Sequence, residues 1–290
     1  MNAILEIQGL TKQYKRSDFR LKDVSFSIPR GAIMGFVGEN GAGKTTTIGC
    51  ILNTLVKDGG MVKVFGKEMS DEAVDIRDDI GVVYDKNAFP THLTALKVAS
   101  IMRHLYSNWD DELFKEYLQK FKLPEKKKIK TFSRGMTMKL AVATALSHRP
   151  KLLILDEATA GLDPVVRDDI LDVFLDFVQD ENNSVLLSSH ITSDLEKVAD
   201  YITFIHDGSI IFSEEKDALK YNFGIMRCKT AQFAEIDKED ILAYRKRDYQ
   251  TDVLIADKKN AEKKYRDVII DNVTIEEIML MFVKGEKTHD

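Results

Sequence analysis

The chain has 290 residues, 44% of them hydrophobic, enough for one large or two ordinary domains with a full core, which excludes global disorder. Apolar runs such as Ile278–Val283 fall far short of the roughly 18 residues of a membrane-spanning helix, and Glu6 stands where a signal peptide needs an apolar stretch, so a cytosolic protein is expected. A formal charge of −5, from 42 basic and 47 acidic residues, argues against nucleic acid as the main partner.

In chain order, Ile4–Ile7, Val24–Ile28, Ile33–Val37 and Met61–Phe65 read as strands, with a helix over Thr45–Leu55 after the third. Between residues 86 and 150 the pattern turns helical, with Leu113, Phe114, Tyr117, Leu118 and Phe121 on one apolar face. Strands resume at Leu152–Leu155 and Ser184–Leu187, separated by a helix that Asp163 caps and Pro164 opens. Ser193 to Glu196 reads as a capping box for the next helix. Strands alternating with helices imply an α/β fold with a largely parallel sheet covered on both faces.

From about Tyr221 the character changes to short strands at Ile225–Cys228, Val253–Ile255 and Val268–Ile270, then a capping box at Thr274–Glu277 that opens a final apolar helix. This predicts a main domain over residues 1–220, with a helical subdomain at about 86–150, and a small α+β accessory domain over 221–290. Cys50 and Cys228, in no metal-ligand spacing, read as buried small hydrophobes.

The first chemical signal is the run Gly38, Glu39, Asn40, Gly41, Ala42, Gly43, Lys44, Thr45, which fits G-x-x-x-x-G-K-[ST] between a strand and a helix. Its glycines let the backbone curl so that N–H groups converge on phosphate oxygens, and the helix start adds its dipole. Lys44 is expected to reach the β- and γ-phosphates and Thr45 to hold Mg²⁺, with Thr46 completing the nucleotide-binding run. A buried strand then ends in two carboxylates, Asp156 and Glu157, for which packing alone has no use. Asp156 is placed to complete the Mg²⁺ shell and Glu157 to orient or deprotonate the attacking water.

In this order the motifs resemble the ATP-binding subunits of ABC transporters, over about residues 3–220. The resemblance implies a P-loop ABC ATPase domain with a mixed sheet core, binding ATP and Mg²⁺. Ala160–Asp163 matches that family's D-loop, and His190 its switch histidine. Phe132–Met136 stands at its Leu-Ser-Gly-Gly-Gln signature. Ser133 and Gly135 are kept there, while Arg134 replaces a glycine and adds a charge able to pair with phosphate. Asp85 stands where the family's Q-loop glutamine senses Mg²⁺; being shorter and negative, it puts tight metal coupling in doubt. Tyr14 lies in the usual neighbourhood of the aromatic that stacks on adenine. Stacking favours a purine without choosing ATP over GTP.

In that family the signature completes the ATP site of a second subunit, so the resemblance implies a homo- or heterodimer working with a membrane-spanning permease at the cytoplasmic face. The cargo itself touches neither ATPase subunit. The signature variant and the C-terminal ending resemble bacterial drug and peptide exporters of the bacitracin-resistance and YtrB type, or of the phenol-soluble modulin type. Two other readings are open. One is a soluble ABC ATPase acting on ribosomes or nucleic acid, for which only the clusters Lys126–Lys128 and Arg245–Arg247 speak. The other is a nucleotide-dependent regulator with little turnover, suggested by Asp85.

Overall fold

The computed structural model describes residues 3–15, 18–70, 72–86 and 89–287. They form two compact units, Met1–Ser213 and Glu214–Asp290.

The first unit opens with β1 (Ala3–Gln13), β2 (Arg20–Pro29) and β3 (Ile33–Val37), followed by α1 (Lys44–Ile51), β4 (Gly59–Val64), the two-residue β5 (Lys67–Glu68), α2 (Val74–Asp78) and β6 (Ile80–Tyr84). Three helices follow, α3 (Ala95–Leu105), α4 (Asp111–Lys120) and α5 (Arg134–Leu146). The unit continues with β7 (Leu152–Asp156), α6 (Pro164–Phe177), β8 (Ser184–Ser189), α7 (Thr192–Val198) and β9 (Tyr201–His206), and its boundary falls within β10 (Ser209–Glu215).

Two sheets result. Strands β1, β2 and β4 pair antiparallel in the order β2-β1-β4-β5, because β1 and β2 follow one another with no crossover helix between them. The expected parallel sheet is the second one, ordered β10-β9-β3-β8-β7-β6, in which β3, β6, β7, β8 and β9 run parallel. Ile4, Leu5, Val24 and Val62 of the antiparallel sheet share one apolar core with Phe36, Leu152, Ile154 and Leu186 of the parallel sheet and Ile48 and Ile51 of α1. Strands β7 and β8 are buried along their whole length, which accounts for their unbroken apolar runs.

Parallel pairing lines up the carboxyl ends of the strands. Tyr84 is the register partner of Asp156, Asp156 of Ser188, and Val37 of Ser189. Whatever follows these residues in sequence therefore emerges at one edge of the sheet, where open α/β folds bind ligands.

Several boundaries differ from the sequence reading. The helix after β3 stops at Ile51 instead of Leu55, since Asn53 turns left-handed at φ 55° and the Thr54 and Leu55 N–H groups both bond back to the Gly49 carbonyl. Strand β4 ends before Phe65, itself left-handed at φ 53°. Ser193 is not a cap: α7 starts one residue earlier, and the turn into it is set by the Ser189 hydroxyl, which accepts from Ile191 N–H. Asp163, Ser133 and Thr274 do cap their helices.

The second unit holds α8 (Lys216–Asn222), β11 (Gly224–Cys228), α9 (Thr230–Phe233), β12 (Ala243–Lys246), β13 (Thr251–Ile255), α10 (Lys258–Lys264), β14 (Ile269–Asp271) and α11 (Ile275–Lys284). Its sheet is ordered β12-β13-β11-β14 and antiparallel throughout, around a small core of Met226, Cys228, Ile236, Val253 and Ile255. Cys50 and Cys228 are both buried and free.

Candidate nucleotide site

The loop from Gly38 to Gly43 leaves the end of β3 at the ligand-binding edge and turns into α1. A Cβ on Gly38 would lie 2.4 Å from the Ile205 carbonyl oxygen, so only glycine lets the loop pass β9. Gly43, at φ 119°, sits just before the first residue of α1 and could not take that angle with a side chain. Ala42 is buried beneath the loop, with its N–H donating to the Glu39 carbonyl, and the Glu39 carboxylate lies 3.6 Å from His206 Nδ1. A cavity of about 330 Å³ opens over the loop, lined by Asn40, Gly41, Lys44, Thr45, Thr46 and Glu157 among others.

The charged groups at the cavity floor are cross-linked. The buried Lys44 ammonium donates to the Gly38 and Glu39 carbonyls at 2.7 and 3.2 Å and pairs with Glu157 Oε1 at 3.2 Å. The other Glu157 oxygen, Oε2, meets His190 Nδ1 at 2.6 Å. One step along, Thr45 Oγ1 donates to Asp156 Oδ2 at 2.9 Å, and Ser188 Oγ donates to Asp156 Oδ1 at 3.1 Å. Glu157 holds a left-handed φ of 55°, with its N–H donating to the Ser188 carbonyl at 3.1 Å. Non-glycine residues pay conformational strain there, and surrounding structure must hold them. The Tyr84 phenol, half-buried and next to Asp156 in register, is pushed up in pKa by that partial burial and secondarily by the carboxylate.

Tyr14 lies at the rim, its hydroxyl 3.3 Å from Thr46 Oγ1 and its ring under the Lys12 ammonium. The aromatic wall of the cavity itself is Phe19, a residue the sequence reading passed over. Its signal was available: it is the aromatic just before β2, and β2 lies beside the loop through Leu21, which a Cβ on Gly43 would strike at 2.7 Å.

The signature residues Ser133, Arg134 and Gly135 lie at the start of α5. Ser133 Oγ accepts from Met136 N–H at 3.2 Å, and Gly135 is packed against Val166, near enough that a Cβ would come to 3.1 Å. Arg134 Nη2 donates to Asp85 Oδ1 at 2.5 Å, so the carboxylate expected near a metal is engaged by the signature arginine.

A family model described as ABC transporter matches residues 21–160, which include the P-loop, Asp85, the signature and the Asp156–Glu157 pair. The chain is 31% identical over 220 residues to the ABC transporter ATP-binding protein YtrB of Bacillus subtilis (strain 168), covering 76% of this chain and 75% of that protein. The chain belongs to the ATP-binding subunits of ABC transporters. It is 33% identical over 222 residues to the bacitracin transport ATP-binding protein BcrA of Bacillus licheniformis, covering 76% of this chain and 72% of that one. Among solved structures, that of an ATP-binding subunit of an ABC transporter superposes with a TM-score of 0.66 at 25% identity, covering 75% of this chain and 92% of the other.

As an ABC ATP-binding subunit the chain is an ATP hydrolase, and the reading as a soluble ATPase of ribosomes or nucleic acid gives way to transport. Among the described residues no helix is long and apolar enough to cross a membrane.

Proposed function

We propose that the chain powers export of a drug or amphipathic peptide through separate membrane-spanning subunits, by hydrolysing ATP at sites shared between two ATPase subunits. The bond network joining Lys44, Glu157 and His190 beside Thr45 and Asp156 carries the hydrolytic part of this reading, and the transport relatives carry the rest.

The P-loop amides and Lys44 bind the β- and γ-phosphates, and Lys44 exchanges its Glu157 partner for phosphate when ATP enters. That exchange frees Glu157 Oε1 to accept a proton from the attacking water while His190 holds Oε2. The Thr45 hydroxyl and the Asp156 carboxylate, 2.9 Å apart, are hard oxygen donors that suit Mg²⁺, which would neutralise charge on the phosphates. Ser188 fixes the second Asp156 oxygen. Phe19, with Tyr14 at the rim, stacks on the base. Ser133, Arg134 and Gly135 serve the nucleotide of the second subunit.

The permease docks on the helical side. A groove of about 250 Å³ runs between the end of β6 and helices α3 and α5, lined by Val82, Tyr84, Phe89, Met102 and Tyr106, and Tyr84, Ile101 and Leu105 are exposed. An apolar groove on an otherwise charged subunit suits an interface helix of a membrane protein. Docked there, the protein would work peripherally on the cytoplasmic face of the membrane. The relative named for bacitracin transport supports a peptide cargo. The appended residues 221–290 support assembly.

Purification of the full chain with its membrane partner tests the proposal. ATPase activity that co-purifies with a multi-spanning protein and rises with exported peptide is the expected result. Stable isolation without any membrane partner, with RNA bound in a salt-sensitive way, would overturn it.

A further inference from the structure

Asp85 and Arg134 both depart from the pattern of related ATPases, and they meet. They are 49 residues apart in sequence, yet Arg134 Nη2 donates to Asp85 Oδ1. The guanidinium also lies over Gly161, where a Cβ would come to 2.6 Å from Arg134 Nη1 and where φ is +67°. Three elements therefore accommodate one arginine: the residue after β6, the start of α5 and the loop before Asp163.

The other phosphate-facing cation is treated in the same way. Lys44 is paired with Glu157 of its own chain. Lys44 and Arg134 thus each hold a carboxylate of their own chain.

We infer that Asp85 is a positioning residue for Arg134, a displaceable anion that holds the guanidinium until a nucleotide phosphate of the second subunit takes its place. This rests on the two-subunit site proposed above. Arg134 is the first residue of a 13-residue helix, at the positive end of the helix dipole, where a cation needs an anion beside it. Asp85 supplies that anion before closure and phosphate supplies it afterwards. The Arg134 and Asp85 side chains are 54% and 38% exposed, so the pair is weak and water-screened. A phosphate offers more charge and matches the guanidinium fork with two parallel bonds, so it wins the exchange. Asp85 then acts through Arg134 and not through Mg²⁺.

The test uses the full chain carrying Glu157→Gln, so that bound ATP is not hydrolysed, and reads ATP-driven self-association by sedimentation. Asp85→Asn should tighten association about two- to fivefold, the scale of an exposed ion pair. Asp85→Glu should restore the parent value. With Arg134→Gly also present, Asp85→Asn should have no effect, and the Mg²⁺ concentration for half-maximal nucleotide binding should stay the same in every variant. Weaker association in Asp85→Asn, an equal change without Arg134, or a tenfold greater Mg²⁺ requirement would each overturn the inference. The pairing is read separately in the nucleotide-free chain by the Arg134 Nε–Hε NMR signal, which should move in Asp85→Asn. A signal that moves, with no ATP-driven association in any variant, would sink the two-subunit reading and the displacement step with it. A signal that stays put would sink the pairing.

Discussion

The carboxylate–cation pairs that Lys44 and Arg134 make differ in where the fold puts them. Lys44, at the start of α1, meets Glu157 just past the end of β7; the two are 6% and 17% exposed, with carbonyls and a histidine completing their shells. Arg134, the first residue of α5, meets Asp85 in the turn after β6, and the two side chains are 54% and 38% exposed. Removing one member of a buried pair leaves an uncompensated charge, whereas an exposed pair is worth about 0–1 kcal/mol. The difference separates two jobs. On the proposed mechanism the first pair belongs to the reaction centre and parts for ATP, and the second adjusts cheaply to what a neighbouring subunit brings.

Changing the buried pair should have the largest effect. Glu157→Gln keeps the shape and one acceptor but removes the base, so turnover should fall about 10²–10⁴-fold while ATP still binds. Phosphate release in the assembled complex and fluorescent-nucleotide binding measure the two halves. A wild-type rate would mean that Glu157 is not the base, and the comparison between the pairs would lose its first member. His190→Ala should come next, with a loss of about 10–10²-fold in kcat and little change in KM, since His190 acts by holding Glu157.

The cavity's aromatic wall separates the two rims of the same site. Phe19→Ala should weaken ATP binding more than Tyr14→Ala, because Phe19 lines the cavity while Tyr14 reaches it through Thr46. Loss of a base stack is worth about 1–3 kcal/mol, and titration calorimetry would resolve it. The reverse order would return the base-stacking role to Tyr14.

Much of the reaction centre was legible because its signals are local. Gly38 to Thr45 is one continuous run, and Asp156–Glu157 and His190 each close an apolar strand, so sequence order alone places them at one sheet edge. Asp163 and Thr274 cap helices through contacts three residues away, which spacing reveals. What escaped was decided by distant partners. Phe19 became a cavity wall only through the passage of β2 beside the P-loop, and Asp85 acquired Arg134 only when α5 folded back over β6. The Ser193 motif failed because the strand-to-helix turn used Ser189 instead. The last unit showed strands at 225–228, 253–255 and 268–270, but its strand order, with β11 between β13 and β14, comes from non-local pairing.

The exposed pair rides on α5, and the far end of that helix supplies the smallest predicted effect. His148, two residues beyond Leu146, is 1% exposed, stacks on Tyr106 with ring centroids 3.9 Å apart, and has Nε2 3.2 Å from the Ile80 carbonyl. Burial lowers its pKa, outweighing the opposing pull of the Ile80 and Thr144 backbone bonds and of Asp78 and Asp79. An unfolded chain protonates a free histidine near pH 6.5, before the buried one takes up its proton. The folded state therefore keeps full stability above about pH 6.5 and loses it as pH falls from there toward the lower folded pKa. Thermal unfolding at pH 7.5 and 5.5 should show this loss in the wild type and a smaller one in His148→Gln, which keeps a side-chain donor for the Ile80 carbonyl without a titrating ring. If acid also loosens α5 from β6, the Asp85–Arg134 pair should weaken over the same pH range while Lys44–Glu157 holds, because His148 bonds to the first residue of β6 and Asp85 follows its last. Parallel loss of both pairs would show that acid acts on the whole unit and not through His148.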